Sequence, residues 1–354
     1  MDKEKHLRTC ASACVRACAG GGSLDGSNSV SRSLAVMRTL TLCVLMAIAG
    51  SAASQQAYPS KPIRLISPYP PGGSTSILAR LFGQKLTESW GQQVIVENRG
   101  GGNTIIGTEA LAKSPPDGYS IMVMTCTHVI TPWLTQTPFD AIKDFAAVAT
   151  LAASEQMLVV HPSVPASNLQ EFIALAKFRP GQLNYATSAS GSLSHLGMEY
   201  LEMAAGFKMQ QIPYKGSGPA LTDLIGGQVE VYLNVAINFI PHIKSGRLRA
   251  IAISGEHRLA ALPEVPTFTE AGVPGLEMKN WYGILAPAGT SRAIIDKLSS
   301  EIAKILAMPD VKARLDSLGA EPFVSTPDRF AELMKADSAR FGKIIKAANI
   351  KLEK

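Results

Sequence analysis

Short β-branched runs alternate with amphipathic stretches through most of the chain, and this alternation constrains the fold more than any other feature. Strand-like segments occupy 62–67, 93–97 ("VIVEN"), 120–124, 147–151, 156–160 ("QMLVV"), 183–187 ("LNYAT"), 209–213, 229–235 and 249–253 ("RAIAI"). Helical patterns lie between them. In 76–90, Ile77, Leu78, Leu81, Phe82 and Leu86 fall on one face; in 193–205, Leu193, Leu196, Tyr200, Leu201 and Ala204 do so. Ser167 and Gln170 read as a capping box opening a helix over 167–177. Such alternation predicts an α/β fold with largely parallel sheets.

After "WYGILAPAGT" (281–290) the pattern becomes helical, over 291–307, 309–318 and 327–347, the last opened by Thr326-Pro327-Asp328. A helical tail of that length needs a sheet face to cover. We therefore expect it to return to the first lobe, giving lobe 1 as 58–155 plus 282–354 and lobe 2 as 156–281. Two chain crossings, near 152–158 and 278–287, would form a hinge. The absence of a fixed short repeat argues against a solenoid.

Residues 37–57 have the order of a secretory signal peptide: Met37-Arg38, the apolar run "LTLCVLMAIAG" (40–50), then small residues in "SAASQQA". Cleavage is expected between Ala52 and Tyr58, making the mature protein periplasmic. Residues 1–36 read as a disordered upstream extension, so Cys10, Cys14 and Cys18 are not taken as a metal or disulfide set. Leu42 before Cys43 is too bulky for a lipoprotein cleavage site. Beyond this segment Cys126 stands alone, which excludes an intrachain disulfide in the mature chain. Residues 1–53 carry six basic and three acidic side chains, so 28 basic and 25 acidic side chains remain. A balance so small and dispersed does not favour nucleic acid as a partner.

Two strand-to-helix turns draw attention. "SPYPPGGSTSILAR" (67–80) and "NYATSASGSLSHLGMEYL" (184–201) each pass from a strand through glycine and hydroxyl residues into a helix, one in each expected lobe. Unpaired N–H groups at helix starts, with the helix dipole, attract anions. The phosphate pattern G-x-x-x-x-G-K-[ST] and the dinucleotide pattern G-x-G-x-x-G are both missing, and hydroxyls with neutral amides suit a carboxylate. Arg80, one turn into the first helix, either approaches the cleft or pairs with a surface acid.

Chemistry is poorly supported. No G-x-S-x-G elbow surrounds Ser188, Ser190 or Ser192. His195 is either a base for a nearby serine such as Ser192 or, as expected, a structural residue donating to a loop carbonyl. The remaining histidines beyond the signal segment make no metal-ligand spacing, and no catalytic residue, metal or cofactor is implied.

Several motifs stand in a recognisable order: "YPSKPIRLISPYPPGGSTSILAR", "QQVIVENRGGGN", "PDGY", "SASGSLSHL", "IPYKGSGPALTDLIGGQVEV", "PHIKSGRLRAIAIS", "VPTFTEAGVPG" and "WYGILAPAGT". In order and spacing they resemble the Bug family, the periplasmic solute receptors of tripartite tricarboxylate transporters, over essentially all of 58–354. The resemblance implies a two-lobed periplasmic-binding-protein fold, a Venus flytrap of type II-like form with a hinge. It implies a ligand carboxylate gripped by the two turns, partly through bridging water. Carried over by motif, Tyr69, Pro71, Gly72, Gly73, Ser74, Thr75 and Ser76 form one side of the site. Thr187, Ser188, Ser190, Gly191 and Ser192 form the other, with Tyr214 and Asn234 lining the cleft.

The chain departs from the family pattern. Ser76 and Leu233 stand where acids are common, and the loop Gly100-Gly101-Gly102-Asn103-Thr104-Ile105 is rearranged. If Leu233 and Ile105 face the cleft, the expected ligand is a monocarboxylate with an apolar or aromatic body. The implied function is a receptor, expected to be a monomer, that delivers a small carboxylate to membrane permease subunits. Two alternatives remain: a sensor presenting its closed form to a membrane signalling kinase, and a secreted Ser/His hydrolase.

Overall fold

The structure is a computed structural model that describes residues 58–347. The signal-peptide reading, the leader cysteines and residues 348–354 lie outside the described residues. Two sheets organise the chain. The first takes strands β1 (Ile63–Ser67), β2 (Val94–Asn98), β3 (Ser120–Thr125), β4 (Phe145–Ser154), β10 (Asn280–Pro287) and β11 (Ala320–Pro322), in the order β11-β4-β10-β3-β1-β2. The second takes β5 (Gln156–Val160), β6 (Asn184–Thr187), β7 (Gln210–Pro213), β8 (Val231–Val235) and β9 (Arg249–Ile253), in the order β7-β6-β8-β5-β9. The chain changes sheet twice, once across Glu155 alone and again between β9 and β10.

The expectation of largely parallel sheets needs correction. Parallel pairing holds within β2-β1-β3 and β7-β6-β8. The crossing strands break it: β10 runs antiparallel to β3 and β4, and β5 antiparallel to β8 and β9. The physical reason is the crossover itself. A strand that enters a sheet directly from the other lobe has no βα unit to turn it round.

Both faces of each sheet are covered, as the apolar strands require. In the first, α1 (Ser74–Trp90) and α8 (Arg292–Ala307) bury Leu78, Phe82, Leu298 and Ile302 against Ile63, Leu65 and Ile284. On the opposite face lie α2 (Ile105–Ala112), α3 (Thr127–Leu134) and α10 (Pro327–Ala347), with Leu111, Ile130 and Phe330 packing on Ile66, Met122 and Leu285. A short α9 (Pro309–Ser317) leads to β11.

In the second sheet, α4 (Leu169–Phe178) and α5 (Leu193–Ala205) place Phe172, Met198 and Leu201 on Leu158, Val231 and Leu233. On the other face, α6 (Ser217–Ile225) and α7 (Ile240–Lys244) pack Leu224 and Ile240 on Met157, Val159 and Tyr232. β5 alternates Leu158 and Val160 to one face with Met157 and Val159 to the other.

This layering positions the site. β1 feeds α1 on one face while its neighbour β3 feeds α3 on the other. Likewise β6 feeds α5 and its neighbour β7 feeds α6 on opposite faces. Adjacent strands whose connections diverge leave a crevice at their carboxyl ends. Each lobe has one, and α1, α3, α5 and α6 all begin there.

Candidate functional site

Between the lobes lies an inner cavity of about 40 Å³, lined by Tyr69, Ser74, Thr75, Thr125, Thr127, Gln156, Ser188, Leu193, Ser194, Ser217, Asn234, Val235, Asn280 and Tyr282. Not one lining side chain is charged. The first residues of four helices appear in that lining: Ser74 of α1, Thr127 of α3, Leu193 of α5 and Ser217 of α6. None of the four has a hydrogen bond from its N-cap side chain. At α3 the Thr127 N–H donates to Thr125 Oγ1 at 3.3 Å and the Val129 N–H to the Cys126 carbonyl at 3.1 Å, while the first N–H groups of α1, α5 and α6 are left open by their caps; each helix dipole adds about half a positive charge at its start.

Two buried groups in the lining lack a partner, the Gln156 Oε1 and the Tyr282 hydroxyl. A buried polar group without a hydrogen bond is costly, so each calls for something in the cavity to bond to. The volume suits one carboxylate with a bridging water, a water needing only about 10–15 Å³ on the same measure.

An outer chamber of about 210 Å³ adjoins it, sharing Tyr69 and Ser188. Its lining adds Pro68, Gly101, Gly102, Asn103, Thr104, Ala189, Ser190, Tyr214, Lys215 and Gly216, and Lys215 is its one charged side chain. Here Asn103 and Thr104 take positive φ, 52° and 74°. For a β-branched threonine that is a strained backbone, of the kind that concentrates at ligand sites. The Asn103 amide reaches across to donate to the Ser190 carbonyl at 3.4 Å.

The lining phenols stay protonated. Desolvation raises Tyr69 to about 12 and, with a bond to Asp223, Tyr214 to about 12; burial also pushes Tyr282 up. The Tyr214 hydroxyl is committed to Asp223 at 2.8 Å, while Tyr69 shares a 3.2 Å bond with Thr125.

Of the residues singled out from sequence, Tyr69, Ser74, Thr75, Ser188, Ser190, Tyr214 and Asn234 line one or both chambers. Asn234 is partly spent, donating to the Tyr232 hydroxyl and accepting from the Val235 N–H at 2.7 Å. The others do not line either chamber. Pro71, Gly72 and Gly73 abut the start of α6, where a β-carbon on Gly218 would fall closer than 3.0 Å to the Pro71 carbonyl oxygen. They form a seam between lobes.

Ser76 is buried beneath the first turn, accepting from Asn98 Nδ2 at 2.6 Å. Thr187 accepts from Gln211 Nε2 at 2.9 Å below the second turn. Ser192 Oγ donates to the Ala189 carbonyl at 2.7 Å and Gly191 N–H to His195 Nδ1 at 3.0 Å, so both shape the loop from behind.

Three expectations are corrected, and the open choice at Arg80 falls to the surface. Leu233 is wholly buried in the core of the second lobe, and Ile105 packs on the first; neither faces the cleft, so the premise of an apolar pocket falls. Ser76 likewise is no pocket position, and an acid's absence there says nothing of ligand type. Arg80 is exposed and lines neither chamber. His195 accepts from an N–H rather than donating to a carbonyl, and Ser192 bonds elsewhere, so the Ser192–His195 pair of a hydrolase is not formed.

Sequence reasoning missed Thr125, Gln156, Asn280 and Tyr282, which reach the inner cavity from strand ends, and the 101–104 loop of the outer chamber. The unusual glycine run was visible; its place in the site was not.

A larger groove, about 680 Å³, runs along the hinge segments. It is rich in carboxylates, Glu155, Glu256, Glu277, Asp316 and Glu321, against Arg258, Lys279 and Arg340. That surplus repels the anion the inner cavity favours, so size does not make it the ligand site.

Comparison with known proteins places these features. The TctC family model, a tripartite tricarboxylate transporter family receptor, matches residues 78–350. The chain is 36% identical to protein BugT of Bordetella pertussis (strain Tohama I), over 88% of this chain and 97% of that one. Among solved structures, Rpa4515 of R. palustris with adipate is 33% identical with a TM-score of 0.81, covering 83% of this chain and 99% of that one. The periplasmic binding protein BugD is 30% identical, TM-score 0.80, covering 84% and 100%. MatC of Rhodopseudomonas palustris with bound malate is 29% identical, TM-score 0.77, covering 81% and 100%.

Proposed function

The chain belongs to the tripartite tricarboxylate transporter receptor family, and we propose that its two chambers capture one small carboxylate end first for delivery to membrane permease subunits. One observation carries this reading: four helix starts, two from each lobe and three of them without a cap on their first N–H groups, surround a cavity with no charged side chain. Distributed partial charges of that kind solvate a single carboxylate without a counter-ion. Because both lobes supply donors, the anion favours the closed arrangement by its differential affinity.

The halves that close on the ligand are 58–155, with the returning segment up to Ala347, and the stretch between them from Gln156. β10 begins at Asn280, so we set the second boundary at Lys279. The family and its relatives are receptors, and the periplasm is their place; residues 37–57 then serve as the export signal.

The body of the ligand occupies the outer chamber. Lys215 has no ion-pair partner among the described residues, and it fits a second acid group on the ligand better than an aromatic body. Adipate in Rpa4515 and malate in MatC, both dicarboxylates, agree with this choice. Calorimetry with adipate and with hexanoate, its analogue bearing one acid, provides the test. Lys215→Met should weaken adipate by about tenfold and leave hexanoate unchanged. Failure of both acids to bind the wild-type chain would sink the receptor reading, whereas equal losses for both would sink only the role of Lys215.

A further inference from the structure

The two crossings between the lobes share one pattern. At each, a charged residue faces the 680 Å³ groove and its chain neighbour faces the inner cavity: Glu155 beside Gln156 at the first, Lys279 beside Asn280 at the second. An extended chain sends consecutive side chains to opposite sides, so the groove lies behind the strand ends that the solute meets in front. The crossings run side by side, because Asn280 is the register partner of Ser154, the last residue of β4.

Behind, they are tied together. Lys279 Nζ lies 3.5 Å from Glu155 Oε1 and also bonds Glu321 of β11. Glu155 Oε2 accepts from Ser254 Oγ at 2.6 Å, and that hydroxyl oxygen accepts in turn from the Gln156 N–H at 2.8 Å. A relay therefore runs from ammonium through carboxylate and hydroxyl to the main chain of a cavity residue. The Glu155 side chain is only 14% exposed, so its charge leans on that ammonium. The other two basic side chains of the groove are paired outside its lining, Arg258 with Glu270 at 2.8 Å and Arg340 with Asp337 at 3.1 Å.

In front, the two amides have little to hold them. Gln156 Oε1 has no partner, and Asn280 accepts through Oδ1 from Cys126 Sγ at 2.9 Å. Their spacing is set by the main chain, and the main chain is fixed from the rear.

We propose that Glu155 and Lys279 form a positioning clasp: it holds the two cavity-facing amides in register and so raises the affinity for the solute without touching it. The proposal rests on the receptor reading above. Without the ammonium, Glu155 and Glu321 lose the cation they share and repel, the crossings part, and the amides drift from their places. The sign separates this role from that of a brake. Were the rear bond merely opposing closure, its removal would tighten binding; as a clasp, its removal must weaken it.

The experiment uses the chain with adipate and malate as probes, titrated by calorimetry. Lys279→Met should weaken both by about three- to tenfold, and Lys279→Arg, which keeps the cation, should stay within about twofold of wild type. Adding Glu155→Gln to Lys279→Met removes the stranded carboxylate while keeping an acceptor for Ser254, so the double variant should bind no more weakly than Lys279→Met alone. Arg258→Gln takes the same charge from the groove away from the crossings and should leave affinity unchanged. In parallel, NMR of the free chain should show the side-chain amide signals of Gln156 and Asn280 moved in Lys279→Met, with that of Asn103 in the outer chamber unmoved. Stationary Gln156 and Asn280 signals, tighter binding by Lys279→Met, or an equal loss in Arg258→Gln overturns the clasp. Failure of both probes to bind the wild-type chain, with those signals moved in the variant, overturns the receptor reading and with it the role in affinity.

Discussion

At Gly218 a β-carbon would press on the carbonyl oxygen of Pro71, and because that oxygen belongs to the backbone no rotamer change relieves it. The clash exists only while the lobes meet. Gly218→Ala should therefore weaken solute binding by about ten- to a hundredfold, the usual cost of overpacking, while the melting temperature of the free chain barely changes. Gly73→Ala meets the Ser217 hydroxyl instead, a side chain that can rotate away, and its loss should be smaller. Calorimetry beside thermal melts of both variants checks the pair; a free chain destabilised by Gly218→Ala, or equal losses in both, counts against the seam. At this scale the sequence was partly legible. Ser74, Thr75, Ser188 and Ser190 follow strand ends, where helix starts collect polar residues. Asn280 and Tyr282 open a strand that reads as apolar core, and only its pairing with Ser154, Ala152 and Thr125 brings them to the cavity.

Among elements, α4 shows how a local signal can be read one residue off. Ser167 and Gln170 match the capping pattern, yet Asn168 is the cap, accepting from the Glu171 N–H at 2.9 Å while Glu171 accepts from Ser167 N–H at 2.7 Å. The reciprocal pair Asn168/Glu171 satisfies two otherwise open donors, and asparagine serves as well as serine there. Asn168→Ala should cost about 1 kcal/mol in urea denaturation and Ser167→Ala much less; the reverse order would restore the first reading. The α1 start at Ser74 likewise lies two residues before the predicted start at 76, because a helix start is fixed by the preceding turn and not by periodicity. Strand existence was legible from runs of β-branched residues. Strand direction at the crossings was not, since antiparallel entry of β5 and β10 depends on where the chain changes lobe, which no local pattern encodes.

For the whole molecule, acid sets the limit of the folded state through groups that cannot accept or keep protons as they would in water. His128, at the start of α3, is buried between Phe139 and Phe145, donates through Nε2 to the Ala141 carbonyl at 2.8 Å, and has no partner at Nδ1. Burial pushes it down from 6.5 to about 4. Between those values the unfolded chain takes up a proton that the folded protein refuses, so stability falls as pH drops from 6.5 towards 4. Fully expressed, this amounts to about 3 kcal/mol. Glu199 extends the loss: its bond to His195 and the nearby Lys208 hold it down at about 2, so its contribution is present above 4.5 and vanishes towards 2. Urea midpoints across the range should thus decline steeply below pH 6.5. His128→Gln keeps a donor for Ala141 without titrating, and its decline between 6.5 and 4 should be shallower by most of that amount. An unchanged slope in His128→Gln would move the acid lability elsewhere. Since His128 follows directly on Thr127, which lines the inner cavity, its protonation would disturb the start of α3 as well, and bound carboxylate should shift the acid midpoint to lower pH.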